Sequence, residues 1–178
     1  MEPIIVVVTG PESSGKSALC ESLSNALDCP WVPEYAREFL EDKGPGYDYE
    51  TLIEIYQGHL KKQESALKNN PEFILFDTDS INYKVWSQRV FARVPDPIEK
   101  GLQDEKAHQY LLCYPDLPWE PDRLRENPND RLDIFFEHQQ LIEGLNRPLK
   151  IIKGQKEERL KNALAALHQL VPSLFSAD

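Results

Sequence analysis

The chain has 178 residues, of which 40% are hydrophobic and 28% charged, a composition that suits one globular domain over residues 1–178. Its net charge of −10 argues against nucleic acid as a partner, because no long stripe of Lys and Arg offsets the repulsion of a polyanion. The sequence has no apolar stretch of membrane-spanning length and no cleavable signal segment, so we expect a cytoplasmic protein with no membrane contact. The oligomeric state stays open.

The first predicted elements are a strand, a glycine loop and a helix. The β-branched apolar run from Pro3 to Thr9 predicts a strand buried on both faces. The eight residues that follow it, Gly10 to Ser17, fit the phosphate-binding pattern G-x-x-x-x-G-K-[ST], and apolar residues at helical spacing come next. Backbone N–H groups of such a loop point at one anion. We therefore expect nucleotide binding by Gly10, Glu12, Ser13, Ser14, Gly15, Lys16, Ser17 and Ala18, with Lys16 on the β- and γ-phosphates of ATP and Ser17 on Mg²⁺.

The rest of the chain alternates strands with helices. Strands are predicted at 29–33, 73–77, 109–114 and 149–152, and helices at 34–43, 49–68, 80–93, 98–107, 131–146 and 155–171. Five strands that alternate with helices predict an α/β fold with a mostly parallel, five-stranded sheet flanked by helices. Ligands of such a sheet bind beyond the C-terminal ends of the strands.

Cysteine and histidine spacing predicts no metal centre. The three cysteines, Cys20, Cys29 and Cys113, contain no C-x-x-C pair, so neither a disulfide framework nor a thiolate site is indicated. The four histidines are far apart in the sequence, and we interpret each as a surface or helix-face residue: His59, His108, His138 and His168.

Carboxylates at strand ends are the next candidates. Asp77 ends an apolar strand, where a carboxylate can bind Mg²⁺, although it could instead cap the following helix. Asp79 is interpreted as a helix cap or a substrate contact. Glu34 follows the second strand, where it could orient an acceptor hydroxyl and take its proton. It could equally be a first-turn glutamate favoured by the helix dipole.

A polar, proline-interrupted segment at about 115–131 is predicted to form a lid loop. It contains Arg123, Arg125 and Arg131, and kinases use such loops to exclude water and to neutralise the transferred phosphoryl group. The alternative is a solvated loop in which the arginines pair with neighbouring carboxylates. We expect at least one of these arginines to contact phosphate.

Five segments together resemble the ribosylnicotinamide kinase domain of the NadR family. In chain order they are Gly10-x-Glu12-x-x-Gly15-Lys16-Ser17, Pro33-Glu34-Tyr35-Ala36-Arg37-Glu38, Phe76-Asp77-Thr78-Asp79, Tyr110-Leu111-Leu112 leading to Pro115-Asp116-Leu117-Pro118-Trp119, and Asp122-x-x-Arg125. Their order and spacing agree over nearly the whole chain. The resemblance implies a P-loop kinase fold that uses ATP and Mg²⁺ to phosphorylate nicotinamide riboside, a small nucleoside.

Position in the chain and the resemblance together suggest roles for individual residues. The catalytic candidates are Lys16, Glu34 and Arg125, and the metal ligands are Ser17 and Asp77. Trp119 could cover one face of the nicotinamide ring or could pack at the base of the lid, and Glu12 is expected to face the acceptor or a lid arginine. The nucleoside contacts implied are Glu34, Tyr35, Arg37, Asp79, Asp116 and Trp119.

Full-length members of the resembling family carry an adenylyltransferase domain and often a repressor domain before the kinase. Because the phosphate loop of this chain begins at Gly10, we expect only the kinase step. A second class of function stays open, a nucleotide-dependent ATPase or GTPase switch that acts through a protein partner. The choice between ATP and GTP also stays open.

Overall fold

A computed structural model describes residues 2–105, 108–121 and 129–175. Its centre is one sheet of five strands: β1 Ile4–Thr9, β2 Trp31–Val32, β3 Phe73–Asp77, β4 Gln109–Cys113 and β5 Leu149–Ile152. The strands lie in the order β2-β3-β1-β4-β5, and every neighbouring pair is parallel. The predicted α/β class with a five-stranded parallel sheet is confirmed.

Helices connect the strands and cover both faces of the sheet. They are α1 Lys16–Leu27, α2 Tyr35–Lys43, α3 Tyr49–Leu67, α4 Ser80–Phe91, α5 Asp96–Asp104, α6 Arg131–Gly144 and α7 Lys156–Leu170, followed by a 3₁₀ turn at Pro172–Phe175. Most predicted elements differ from the observed ones by one to three residues at an end, and two of these differences have a clear physical reason. Glu34 precedes α2 as its N-cap, and α5 begins two residues before Ile98 because Pro97 is accommodated in its first turn.

The alternation of side chains along the central strands divides the core into two layers. Val6 and Val8 of β1 pack on the side of α1 and α7, in a cluster with Leu23 and Leu167. Val7 points to the opposite side and packs in a cluster with Ile142 of α6. Because both layers are buried, β1 is apolar at every central position instead of alternating. A third cluster fills the space between α2, α3 and α4.

The parallel strands bring their C-terminal ends to one edge. The chain leaves β1 at Gly10, which has a φ of 138°. A Cβ atom there would lie 2.8 Å from the carbonyl oxygen of Cys113 at the end of β4, so only glycine permits this close passage. The phosphate loop therefore begins directly against the neighbouring strand.

The histidines differ in exposure. His59 and His138 are buried on the faces of α3 and α6, which agrees with the predicted helix-face position, whereas His108 is buried just before β4, so its prediction was wrong. His168 is exposed, as expected.

Within the described ranges, the helices are all too short or too polar to cross a bilayer.

Two helical glycines offer a matched test of this packing. A Cβ atom on Gly101 of α5 would overlap the Tyr56 and Ser80 hydroxyl groups, whereas one on Gly144 of α6 would meet nothing within 4 Å. Tyr56 is fully buried and its hydroxyl lies 2.6 Å from that of Ser80, so neither group can retreat freely.

We expect Gly101→Ala to lower the free energy of unfolding by about 1–3 kcal/mol because it overpacks the core. Gly144→Ala should raise it by about 0.4–1 kcal/mol because alanine restricts the unfolded chain. Urea denaturation of both variants checks the pair. Equal effects of the two substitutions would contradict the close approach of α3, α4 and α5.

Candidate active site

The phosphate loop has the backbone shape of an anion site. Gly10, Ser13 and Gly15 all have positive φ, at 138°, 55° and 78°. Alternating backbone conformations of this kind form a concave surface of N–H groups. No side chain of the described residues caps α1, so the first-turn amides of this helix are available to an anion. Lys16 lies across the loop, and its Nζ donates to the Pro11 carbonyl at 2.9 Å.

Asp77 lies beside the loop, at the end of β3, and is fully buried. Its Oδ2 accepts a hydrogen bond of 2.5 Å from the Ser17 hydroxyl, while its Oδ1 has no partner among the described residues. Burial raises the pKa of Asp77 to about 7, and the charge of Glu34 also raises it, against the opposing effects of Lys16 and Ser17. Lys16 and Arg37 act on this carboxylate only at a distance, and no cation of the described residues forms an ion pair with it.

These groups fit a magnesium ion. Mg²⁺ prefers hard oxygen ligands and uses one or two protein carboxylates together with phosphate oxygens. An orphaned, buried carboxylate oxygen that adjoins a serine hydroxyl provides such a donor set. Ser17 and Asp77 are therefore the residues that would bind the ion, as the sequence predicts. The hydroxyls of Thr9 and Thr78 are also buried at this edge, without partners in the described ranges.

One cavity of about 690 Å³ extends to both sides of the phosphate loop. Its volume lies within the range of about 300–1,000 Å³ that is usual for ligand pockets. The side toward α1 and α7, which we name the nucleotide half, is lined by Ala18, Ser22, Leu117, Pro118, Gln155, Lys156 and Leu160. The side toward α2, α4 and α6, which we name the acceptor half, is lined by Glu34, Ala36, Arg37, Leu40, Tyr47, Asn82, Val85, Trp86, Arg89, Val90, Ile134 and His138.

The acceptor half combines apolar walls with a few polar groups. Trp86 and Tyr47 form an edge-to-face pair with ring centroids 5.0 Å apart, and the indole N–H donates to the Tyr47 hydroxyl at 3.0 Å. His138 lies within 3.3 Å of the Asn82 side chain. Arg89 pairs with Asp130 and Glu137, which joins α4 to the start of α6.

The predicted residues at the start of α2 separate in the structure. Glu34 and Arg37 line the cavity. Tyr35 does not; its ring packs edge-on against Phe39 and lies against α3 at Gly58, where a Cβ atom would overlap the ring. Arg37 also pairs with Glu41 at 3.5 Å.

Asp79 caps a helix, one of its two predicted roles. Its Oδ1 accepts from the Ile81 N–H at 3.0 Å, and its Oδ2 contacts His108 Nδ1 at 3.1 Å and the Tyr110 hydroxyl at 2.5 Å. Burial alone would raise the pKa of Asp79, but the partners His108 and Tyr110 keep it below its usual value. The side chain is enclosed and does not line the cavity.

Asp116 also lies outside the cavity lining. Its Oδ1 pairs with the guanidinium of Arg159, and its Oδ2 accepts from the Gly154 N–H at 2.8 Å. Arg159 is buried and also donates to the Ser14 carbonyl at 2.8 Å and the Tyr114 carbonyl at 3.0 Å. Asp116 therefore neutralises Arg159, which lines the cavity and donates to the phosphate loop, and the described side-chain contacts of Asp116 go to Arg159 and Gly154.

The described part of the lid lies over the phosphate loop. Glu120 N–H donates to the Ser13 hydroxyl at 3.1 Å, and Arg131 donates to the carbonyls of Leu117 and Ser13 at 2.8 and 3.3 Å. Trp119 lies beside Arg131, 5.8 Å from ring centroid to guanidinium carbon, and is absent from the cavity lining. This placement fits packing at the base of the lid. The lid arginines Arg123 and Arg125 lie outside the described residues.

The sequence interpretation missed several groups at this site. Arg159 carries no motif, and its role follows from contacts with residues far away in the chain. Asn82 and Arg89 lie on α4 and line the cavity together with His138 of α6. Their signal was spacing, because Asn82, Val85, Trp86 and Arg89 recur at helical intervals directly after the strand end at Asp77.

The parallel sheet, the phosphate loop and the strand-end carboxylate together define a P-loop kinase fold. Solved structures of NadR in complex with NR and of NadR in complex with NAD and AMP-PNP each match 94% of this chain with a TM-score of 0.73, at 20% and 21% identity. The matches cover 51% and 49% of those chains. Thymidylate kinase from Candida albicans matches 97% of this chain and 92% of its own length, with a TM-score of 0.64 and 9% identity.

The sequence profile of the AAA domain family matches residues 5–159, and the chain belongs to that family. The trifunctional NAD biosynthesis/regulator proteins NadR of Escherichia coli (strain K12) and of Salmonella typhimurium (strain LT2) are each 25% identical to it over 124 residues. The match covers 67% of this chain but spans only 30% of the length of these relatives. The resemblance to NadR noted from the motifs is thus confirmed.

The Asp116–Arg159 pair yields a stability prediction. Asp116→Asn should lower the free energy of unfolding by about 3 kcal/mol, because it leaves a buried guanidinium without its counter-charge. Asp104→Asn is the control, since it breaks a pair whose side chains are 76% and 62% exposed and should cost less than about 0.5 kcal/mol. Urea denaturation measures both. If Asp116→Asn is as stable as the wild type but binds the acceptor more weakly, this would instead support the predicted contact between Asp116 and the nucleoside.

Proposed function

We propose that this protein is a kinase that transfers the γ-phosphoryl group of ATP, with Mg²⁺, to a hydroxyl group of a small nucleoside, and that nicotinamide riboside is this acceptor. The observation that carries the proposal is that Lys16, Ser17 and Glu34 line one cavity, with Asp77 buried beneath them. Phosphoryl transfer needs positioning and charge stabilisation more than covalent chemistry, and this arrangement supplies both.

On the donor side, the loop amides and Lys16 bind the triphosphate. Lys16 would exchange the Pro11 carbonyl for phosphate oxygens, where its charge stabilises the transferred group. Mg²⁺ bound to Ser17 and Asp77 would neutralise charge on the phosphates. A buried Asp77 that already accepts a hydrogen bond from Ser17 needs little rearrangement to take this role.

On the acceptor side, Glu34 is the candidate base. It occupies the N-cap position of α2, yet its side chain makes no capping hydrogen bond within the described chain. Without a capping hydrogen bond to hold it, the carboxylate can turn toward the cavity that it lines, which supports the catalytic interpretation. Glu34 would orient the acceptor hydroxyl toward the γ-phosphate and accept its proton.

The acceptor half suits a flat, cationic base attached to a ribose. Ala36, Leu40 and Val85 provide apolar surface, and Trp86 adds an aromatic group whose π system attracts a cation. Asn82 and His138 offer polar atoms to ribose hydroxyls or to a carboxamide. The likeness to NadR in complex with NR supports the same acceptor.

The direct test measures product formation by the purified protein. With ATP and Mg²⁺, nicotinamide riboside should be converted to nicotinamide mononucleotide, and ATP consumption without an acceptor should be nearly absent. Uridine, cytidine, thymidine and shikimate serve as competing acceptors. ATP turnover that does not depend on any acceptor would favour a nucleotide-dependent switch and overturn the kinase proposal.

The two carboxylates should separate by role. Glu34→Gln removes the base and should lower turnover at saturating Mg²⁺ by about a hundredfold or more, with ATP affinity unchanged. Asp77→Asn should mainly raise the Mg²⁺ concentration needed for half-maximal rate. Glu64→Gln, on the exposed side of α3, controls for loss of one negative charge. Steady-state rates over a Mg²⁺ series measure all three, and a Mg²⁺ shift in Glu34→Gln alone would reverse the two assignments.

A further inference from the structure

The junction after β3 has an unusual backbone. Thr78 follows Asp77, is fully buried, and has a φ of 72°. A β-branched residue rarely adopts this left-handed conformation, because its side chain crowds the backbone. Such a conformation persists only where the surrounding contacts impose it, and it is common at functional sites. The contacts of Thr78 therefore determine how the Asp77 carboxylate is presented.

Both backbone groups of Thr78 are bound. Its N–H donates to the carbonyl of Val8 at 3.0 Å, which ties it to β1 just before the phosphate loop. Its carbonyl lies 3.3 Å from Nε2 of His59 and 3.4 Å from Nε2 of Gln63, two buried residues one turn apart on α3. Helix α3 thus fixes the strand end from the side opposite to the loop.

The other ring nitrogen of His59 binds the start of α2. The N–H of Tyr35 donates to Nδ1 at 3.5 Å. Nδ1 therefore accepts and carries no proton, so the proton of the neutral ring is on Nε2, which lies 3.3 Å from the Thr78 carbonyl and 3.0 Å from the side-chain amide of Gln63. Burial lowers the pKa of His59 to about 4, so the ring is neutral near pH 7 and introduces no charge.

Neighbouring residues fix the orientation of the imidazole ring. The preceding residue, Gly58, lets the Tyr35 ring lie directly on α3, because any side chain there would overlap that ring. The ring of Tyr83 packs against His59 with centroids 5.3 Å apart. His59 is fully buried and cannot exchange these partners for water.

We propose that His59 is a positioning residue that fixes Glu34 and Asp77 relative to each other. Tyr35 directly follows Glu34, and Thr78 directly follows Asp77, so one rigid ring connects the residue after each carboxylate. The roles of these carboxylates rest on the proposed function. His59 acts through them and does not touch the reactants.

Two amide substitutions can separate the two contacts. In His59→Asn the shorter side chain places its oxygen near the position of Nδ1, which keeps the Tyr35 contact and loses the Thr78 contact. In His59→Gln the longer side chain places its N–H₂ near Nε2, which keeps the Thr78 contact and loses the Tyr35 contact. The measurements are Mg²⁺-dependent ATP binding without an acceptor, and the turnover and acceptor KM with nicotinamide riboside.

We expect His59→Asn to weaken Mg²⁺-dependent ATP binding by about tenfold, the effect typical of a lost partner that orients a metal ligand. His59→Gln should leave this binding unchanged and lower kcat by about tenfold to a hundredfold through misplacement of Glu34. Ile142→Ala controls for general destabilisation, because it shortens a buried core side chain on the face of the sheet opposite to α1. This control should lower Tm, and any effect on ATP binding and on kcat should be of similar size.

If both His59 variants lose ATP binding and kcat equally, and the losses follow the decrease in Tm, His59 only supports the fold and the proposal is overturned. Unchanged binding and turnover in both variants would overturn it as well. If the wild-type protein phosphorylates no nucleoside, the proposed function fails, but the binding measurement still decides: weaker Mg²⁺-dependent ATP binding in His59→Asn and not in His59→Gln supports the proposal, and any other pattern overturns it.

Discussion

The hydrogen bond between Ser17 and Asp77 joins the first turn of α1 to the end of β3, and the remaining site depends on it. Because this bond occupies only Oδ2, the other oxygen of a fully buried carboxylate is left without a described partner. Burying an unpaired carboxylate is costly, so the site is poised for a cation. The phosphate loop, the α1 amides and Lys16 then surround the same point with positive potential. An acidic chain can thus bind a polyphosphate, because local groups outweigh a net charge of −10.

The sequence predicted the parts of the fold and site whose determinants are local. Continuous apolar runs predicted β1 and β3, because strands buried on both faces must be apolar throughout. The spacing of Gly10, Gly15 and Lys16 predicted the loop, because its geometry is encoded within eight consecutive residues. Asp77 became a candidate Mg²⁺ ligand through its position at a strand end, since the C-terminal ends of parallel strands form the edge where ligands bind.

What could not be predicted was the direction of side chains whose partners lie far away in the chain. Asp79 contacts His108 and Tyr110, which are 29 and 31 residues away, and Asp116 pairs with Arg159 at a separation of 43 residues. Asp77, Asp79 and Asp116 all lie at or shortly after the end of a strand. Only their distant partners decide whether each carboxylate faces the cavity or the core. The helix-face position of His59 was among the predicted alternatives, yet no local pattern indicates what its two nitrogens bind.

Arg159 also connects the order in which the chain is synthesised with the ability to bind nucleotide. The Ser14 carbonyl belongs to the phosphate loop, but it receives its partner from a residue 145 positions later. During translation the phosphate loop emerges before α7 and lacks this support until α7 can fold against it. Contacts of such long sequence separation form late and slow the folding of a domain. We therefore expect the phosphate loop to bind nucleotide tightly only after α7 has folded against it. A nucleotide that binds only the fully folded domain also stabilises that domain against unfolding.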